Sequence, residues 1–177
     1  MKTLRLTAAL ALMLTLAACT TYHVGTPLPK ELRNISLGKV VNLSQEDALS
    51  HLLRDRLADR ILQTPGLKLS SDADATLDLS VKILSLDQSK AARALMRDRK
   101  ASHDDSDRYQ TVLYRLEMEC EYLGVPRDSV LSSRKGRVRV TADVPLLQDL
   151  ALSQQKALQE LARAAAWEIL SDLSLDD

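Results

Sequence analysis

Two cysteines and one cluster of basic residues are the side chains with the clearest capacity for chemistry. Cys120 occupies an apolar position in an alternating pattern, which favours a small buried thiol over a reactive one. The basic cluster consists of Arg93, Arg97, Arg99 and Lys100. Guanidinium groups bind phosphate oxygens through paired hydrogen bonds, so this cluster is the candidate contact for an anionic ligand. Cys19 differs, because it follows Leu-Ala-Ala at the end of a short apolar segment.

The segment that ends at Cys19 has the features of a secretory signal. Lys2 and Arg5 precede an apolar stretch, 6–16, that is shorter than the roughly 20 residues needed to span a bilayer. With Leu-Ala-Ala before Cys19, it resembles the lipobox of bacterial lipoproteins, in which signal peptidase II cuts before a cysteine that then carries acyl chains. This resemblance implies that residues 1–18 are removed and that Cys19 is the lipid attachment site. A secreted protein with a chance cysteine is the alternative.

The residues after Cys19 indicate where the mature chain goes and how it begins. In lipoproteins of the proteobacterial type the next residue resembles a sorting signal, and Thr20 in place of Asp implies export to the outer membrane. We therefore expect a lipid anchor at the periplasmic face of the outer membrane. Residues 19–31 include Gly25, Pro27 and Pro29, which predicts an extended lipidated leader. Residues 32–177 are then of the size of a single domain.

The composition argues against nucleic-acid and other polyanionic partners and against disulfide bonds. Aromatic residues make up 3% of the chain and Phe is absent, so platforms for stacking single-stranded nucleic acid are missing. The formal net charge is +0, and removal of the signal makes the mature chain slightly acidic, so no overall basic field attracts polyanions. With Cys19 acylated, Cys120 has no disulfide partner. We expect no nucleic-acid partner.

Motifs of catalysis and metal binding are missing from the sequence. The chain has no G-x-S-x-G elbow, P-loop or G-x-G-x-x-G motif, and its Ser, Asp and Glu residues form no recognisable pairing of nucleophile and base. His23, His51 and His103 lack the spacing of a zinc site and are expected on the surface. We therefore expect a protein that is not an enzyme and that uses no cofactor or metal.

Hydrophobic periodicity predicts a strand and then a helix in the first third of the mature chain. The strand covers Arg33 to Asn42, with a bulge at Gly38. An amphipathic helix of about 20 residues follows. Ser44 is its predicted N-cap, in a capping box with Asp47, and the helix ends before Pro65-Gly66.

The sequence after this helix predicts three more strands and a last helix. The second strand starts at Thr76 and loses its phase at Leu84 and Leu86, which indicates a bulge. The third covers Tyr109 to Tyr122, and the fourth carries inward apolar residues from Val138 to Val144 before Pro145. The last helix has an apolar stripe from Leu158 to Leu173. Trp167 lies off the centre of that stripe, so it belongs to the rim of the core or to a partner contact.

Charges predict how the third and fourth strands pair. After a turn region at 124–129, an antiparallel register with Glu119 opposite Arg137 and Glu117 opposite Arg139 would bring opposite charges together on the wet face. Each such pair contributes about 0.2 to 1 kcal/mol. Between the second and third strands lies a long charged segment, 89–108, which we expect to be a loop that is either solvated or in contact with a lipid or partner.

The order of elements predicts the fold class. The elements occur in the order strand, helix, three strands, helix, and each has one apolar face. A two-layer α+β domain is the simplest arrangement that buries all of these faces. We expect a four-stranded mixed sheet, in the order β-α-β-β-β-α, with two helices on one face. The other face of the sheet is expected to be charged and wet.

Several short stretches resemble one envelope family. They are Cys19, Tyr22–Gly25, Leu28-Pro29, the strand that ends in Asn42 before a helix, Asp72–Leu77, and Val138–Pro145 before a terminal helix. Together they resemble the LptE-like lipopolysaccharide-assembly lipoproteins of the outer membrane, over essentially the whole mature chain.

The resemblance implies a non-enzymatic partner of the LptD β-barrel, which stands inside the barrel as a plug and helps to deliver lipopolysaccharide to the outer leaflet. It also implies contact with lipopolysaccharide through basic residues, for which Arg93, Arg97, Arg99 and Lys100 are the clustered candidates. An envelope lipoprotein that binds or activates a cell-wall synthase, or serves an envelope transporter, is the alternative of a different class.

Overall fold

The computed structural model describes residues 29, 32–95, 109–128, 130–145 and 150–174. Two helices and five strands lie in these ranges. They are β1 (Asn34–Asn42), α1 (Ala48–Gln63), β2 (Lys68–Leu69), β3 (Leu77–Leu95), β4 (Tyr109–Pro126), β5 (Arg134–Pro145) and α2 (Leu150–Ser174). The signal, Cys19 and most of the leader lie outside the described residues.

In the described part of the chain the strands form one mixed sheet in the order β2-β1-β3-β4-β5. β1 runs parallel to β2 and β3, whereas β4 is antiparallel to both β3 and β5. The α+β class is confirmed, but the expectation of four strands is wrong. The additional strand, β2, has two residues that are both exposed, so it carries no hydrophobic alternation and is held by backbone pairing with Asn34 and Ile35.

Both helices contribute to a single hydrophobic core with one face of the sheet. The largest fully buried side chains are Leu32, Ile35, Leu49, Leu53, Leu57, Ile61, Leu77, Leu79, Ile83, Met118 and Leu161. On α1 the buried residues recur at a spacing of four, and on β3 and β4 buried residues alternate with more exposed ones, as each element's geometry requires for one buried face. In the described ranges no helix is long and apolar enough to cross a membrane.

The start of α1 differs from the prediction. The helix begins at Ala48 with Asp47 as its N-cap, and no side chain caps it. Ser44 instead donates its backbone N–H and its hydroxyl to Asn42 Oδ1, at 2.9 and 2.8 Å, while Asn42 Nδ2 donates to the carbonyl of Glu46 at 2.8 Å. The amide of Asn42 thus organises the turn after β1, and the Ser44 hydroxyl accepts a hydrogen bond from the backbone N–H of Glu46 at 3.4 Å, before the helix begins.

Both predicted bulges are present in the sheet. The pairing of β1 with β3 shifts between Leu37 and Val40, which places Gly38 at the irregularity. A side chain there would meet the carbonyl of Leu79 at 3.3 Å, so a glycine allows the two strands to approach closely. The pairing of β3 with β4 shifts between Ile83 and Ser85, where the sequence loses its phase.

The segment 89–108 is not a loop throughout. β3 continues to Leu95 and β4 starts at Tyr109, so residues 89–95 belong to a strand, and 96–108 lie outside the described residues. β1 pairs with β3 only as far as Ile83, and β5 pairs with β4 only as far as Leu113. We call the paired segments 84–95 and 109–119 the ribbon.

The register of the β4–β5 pair is shifted by two residues from the prediction. Glu119 lies opposite Arg139, and Arg137 lies opposite Glu121. The predicted ion pairs nevertheless form along the diagonals, with Arg137 to Glu119 at 3.4 Å and Arg139 to Glu117 at 3.2 Å. Arginine is long enough to reach a diagonal neighbour on the same face, so charge pairing permits both registers.

Candidate functional site

The face of the sheet away from the helices is the main candidate for function, and we call it the open face. Its side chains are Lys39, Val41, Asp78, Ser80, Lys82, Arg115, Glu117, Glu119, Glu121, Leu123, Val125, Lys135, Arg137, Arg139, Thr141 and Asp143. All of them are exposed or half-buried. The prediction of a charged, wet face is confirmed.

Ion pairs cross the open face between β4 and β5. Arg115 donates from Nε and Nη2 to the two carboxylate oxygens of Asp143, at 2.8 and 3.2 Å. This bidentate bond to Arg115 lowers the pKa of Asp143 below its ordinary value, and the same bond raises the pKa of Arg115. Arg139 lies 3.2 Å from Glu117 and 3.9 Å from Glu119. In this half of the face the charges largely satisfy one another.

The other half of the open face has a basic, partly apolar groove. It has a volume of about 390 Å³, and its lining includes Lys39, Lys82, Lys135, Val41, Leu123 and Glu121. Val41 and Leu123 are 42% and 39% exposed, so they contribute apolar surface to the groove. In the described ranges none of the three lysines has an ion-pair partner. Such a groove can hold an anionic group beside an apolar one.

Sequence reasoning did not find these lysines. Each lies at an outward position of a different strand, and they become neighbours only because β1, β3, β4 and β5 are adjacent in the sheet. Strand order, which set their proximity, had no signal in the sequence.

The ribbon carries one of the four predicted anion contacts. Arg93 is exposed on β3 and lies opposite Thr111. Arg97, Arg99 and Lys100 lie outside the described residues, as does Cys19. Leu86 near the base of the ribbon and Tyr114 in its middle are half-buried against the core, which attaches this part of the ribbon to the domain.

Two buried titratable groups of β4 are shielded and not activated. Burial raises the pKa of the Cys120 thiol to about 12, with a smaller effect from the charge of Glu119, so the thiol stays protonated at neutral pH. Burial also raises the pKa of Tyr122, as does the hydrogen bond from its hydroxyl to Asp172 Oδ2 at 2.7 Å. In the described part of the chain no group of His, Cys, Asp and Glu is arranged to hold a metal ion.

Comparisons with known proteins bear on the fold. No family model matches the chain, and no curated protein matches it. A neuraminyllactose-binding hemagglutinin homologue from Helicobacter pylori is similar in structure with a TM-score of 0.51 and 11% identity, over 85% of this chain and 88% of that one. At that identity the similarity shows the fold alone.

Other similar structures include those of bacterial lipoproteins. Rare lipoprotein B from Shewanella oneidensis has a TM-score of 0.44 and 17% identity, over 78% of this chain and 92% of that one. A minor lipoprotein from Acinetobacter baumannii has a TM-score of 0.44 and 14% identity, over 81% of this chain and 93% of that one.

Proposed function

We propose that this chain is an envelope lipoprotein, anchored through Cys19 at the periplasmic face of the outer membrane, and the non-enzymatic partner and plug of an LptD-type β-barrel in lipopolysaccharide transport. The observation that carries the proposal is the open face, whose side chains are charged and which no helix covers in the described residues. The interiors of large outer-membrane barrels are polar, so a polar face suits docking against the inner wall.

The charges of the open face fit a docking role. Arg115 and Asp143 keep their bidentate bond when water is excluded, so covering them leaves neither charge without a partner. The lysines of the groove, in contrast, are available for acidic groups of a partner or for phosphates of lipopolysaccharide.

The length of β4, whose first part belongs to the ribbon, supports the same proposal. β4 has 18 residues and spans about 59 Å at 3.3 Å per residue. The apolar band of an outer-membrane barrel is about 25 Å tall, so such a strand can extend along the lumen. Arg93, together with Arg97, Arg99 and Lys100, then supplies the contact with anionic lipopolysaccharide. Alanine at all four positions is expected to weaken lipopolysaccharide binding, and unchanged binding would remove this part of the proposal.

Charge reversal in the groove tests the docking surface. The double variant Lys82→Glu/Lys135→Glu should lose most of its co-purification with the β-barrel from detergent-solubilised membranes, because both changes place like charges against acidic wall residues. Lys156→Glu, on the exposed side of α2, is the matched control and should retain the barrel.

Photo-crosslinking identifies the partner directly. A photoreactive residue at Thr141, in the open face, is expected to capture a heat-modifiable β-barrel protein. Capture of a peptidoglycan synthase or an inner-membrane ATPase from this position would contradict the proposal and favour the alternative class of envelope lipoprotein.

A further inference from the structure

A second concave site lies on the helical side of the domain, between α1 and α2. Its volume is about 430 Å³, within the range of small-molecule sites. α1 contributes Arg56, Asp59, Arg60 and Gln63, and α2 contributes Arg163, Ala164, Trp167 and Glu168. We call it the interhelical groove. It shares no lining residue with the open face.

Trp167 gives the interhelical groove a large aromatic surface. It is the only tryptophan of the chain and is 49% exposed, whereas its neighbour Ala166 is 1% exposed and packs in the core. The sequence left open whether Trp167 belongs to the core rim or to a partner contact. Half of its surface faces the groove and solvent, which leaves an aromatic side chain available to a ligand.

The polar groups around Trp167 combine hydrogen-bond donors with acceptors. Arg56 lies 3.4 Å from Asp59, and Arg163 Nη2 lies 2.6 Å from Glu160, so two of the three guanidinium groups have acidic neighbours. Arg60 has no side-chain hydrogen bond or ion pair to any described residue. Among the residues that the structure describes, the groove therefore offers one uncommitted cation within a set of mixed charge.

This combination is suited to a saccharide. A sugar ring presents an apolar face of C–H groups and an edge of hydroxyls that both donate and accept, which matches an aromatic side chain surrounded by guanidinium, carboxylate and amide groups. A wholly acidic peptide would meet the carboxylates of Asp59 and Glu168 and is disfavoured by them. The uncommitted Arg60 favours a saccharide that carries a carboxylate.

We infer that the interhelical groove binds an acidic oligosaccharide. Trp167 packs against a sugar ring, Asp59 and Glu168 accept hydrogen bonds from its hydroxyls, and Arg60 binds its carboxylate. This site is independent of the proposed docking of the open face, because the two surfaces lie on opposite sides of the sheet.

Fluorescence of the single tryptophan tests the inference in the full chain. The probes are trigalacturonate and the disaccharide of N-acetylglucosamine and N-acetylmuramic acid, each compared with its carboxyl-reduced form. Both acidic probes should change the emission of Trp167 in a saturable manner, and the reduced forms should bind at least about tenfold more weakly, the loss expected for one charged hydrogen bond.

Variants separate a binding role from a structural one. Arg60→Gln should weaken binding of the acidic probes at least about tenfold but leave binding of the reduced forms unchanged. Arg54→Gln, on the same helix but outside the groove, is the matched control and should bind as the natural chain does. Trp167→Ala, followed by calorimetry and with its folding checked by circular dichroism, should abolish binding.

Three results would overturn the inference. The first is an emission that neither acidic saccharide changes at millimolar concentration. The second is equal affinity of the Arg60→Gln variant and the natural chain for both acidic probes. The third is saturable binding of tetraglutamate with no binding of the saccharides, which would assign the groove to an acidic protein segment instead.

Discussion

Gly136 is the position at which a single added methyl group should have the largest effect on the sheet. A Cβ at Gly136 would lie 2.6 Å from Tyr122 Cε1, from Tyr122 Oη and from Asp172 Oδ2. Tyr122 is 4% exposed, so its ring has little free space into which it can move. The substitution Gly136→Ala must therefore displace both partners of the hydrogen bond that joins β4 to the last turn of α2.

The magnitude follows from two contributions. Loss of the hydrogen bond from Tyr122 to Asp172 costs about 1 kcal/mol, because Asp172 is exposed and regains water. Insertion of a methyl group against a buried ring costs about 1 to 3 kcal/mol. We expect Gly136→Ala to lower the free energy of unfolding by about 2 to 4 kcal/mol. Arg134 Nη1 still donates to the carbonyl of Leu173 at 2.7 Å, so α2 stays attached.

Urea unfolding, followed by Trp167 fluorescence and circular dichroism, measures this loss. A double-mutant cycle with Tyr122→Leu identifies its cause, because removal of the ring removes the clash. In the Tyr122→Leu background Gly136→Ala should cost less than half as much as in the natural chain. Thr141→Ala, exposed on the same strand, should change stability by less than about 0.5 kcal/mol. An equal cost of Gly136→Ala in both backgrounds would refute the reasoning.

Three further predictions concern a core leucine, the buried titratable groups of β4 and an ion pair of the open face. Leu161→Ala removes a side chain with 0% exposure and should lower the free energy of unfolding by about 2 to 5 kcal/mol in the same urea assay. Since the pKa values of Cys120 and Tyr122 are raised on folding, stability should be full below about pH 9 and decline above it, because the unfolded chain releases protons that the folded chain retains. An unchanged urea midpoint at about pH 10.5, which is about 1.5 units above the ordinary pKa of the thiol, would contradict this. In an NMR titration the carboxyl of Asp143 should titrate below its ordinary range and move upward in Arg115→Gln, and identical midpoints would show that the bidentate bond does not hold in solution.

Alternation and helical spacing were sufficient to predict the elements that bury one face. The inward residues from Val138 to Val144 and the stripe of α2 needed only a period of two or 3.6 to be recognised. The bulges at Gly38 and near Leu84 were visible as losses of phase. In each case burial itself produces the sequence pattern, so the pattern reports the fold.

Strand segments that are stabilised by backbone pairing alone leave no such hydrophobic pattern in the sequence. β2 is too short to alternate, and residues 89–93 of β3 are all exposed or half-buried, so neither segment has a buried face to mark it. The β4–β5 register differed by two residues because positions i and i+2 share a face, and arginine reaches either partner. The grouping of Lys39, Lys82 and Lys135 depended on strand order, which no local signal encodes.

The parallel pairing of β1 with β3 has a consequence for the order in which the chain folds. Asn34 bonds to Thr76 across 42 positions, whereas β3, β4 and β5 follow one another as antiparallel neighbours. Closing the longer loop has a higher entropic cost, so we expect the three-strand meander to form in the folding transition state. β1 would then pair with β3 only after the transition state. Substitutions at the core positions of β1 should therefore accelerate unfolding and leave the folding rate nearly unchanged.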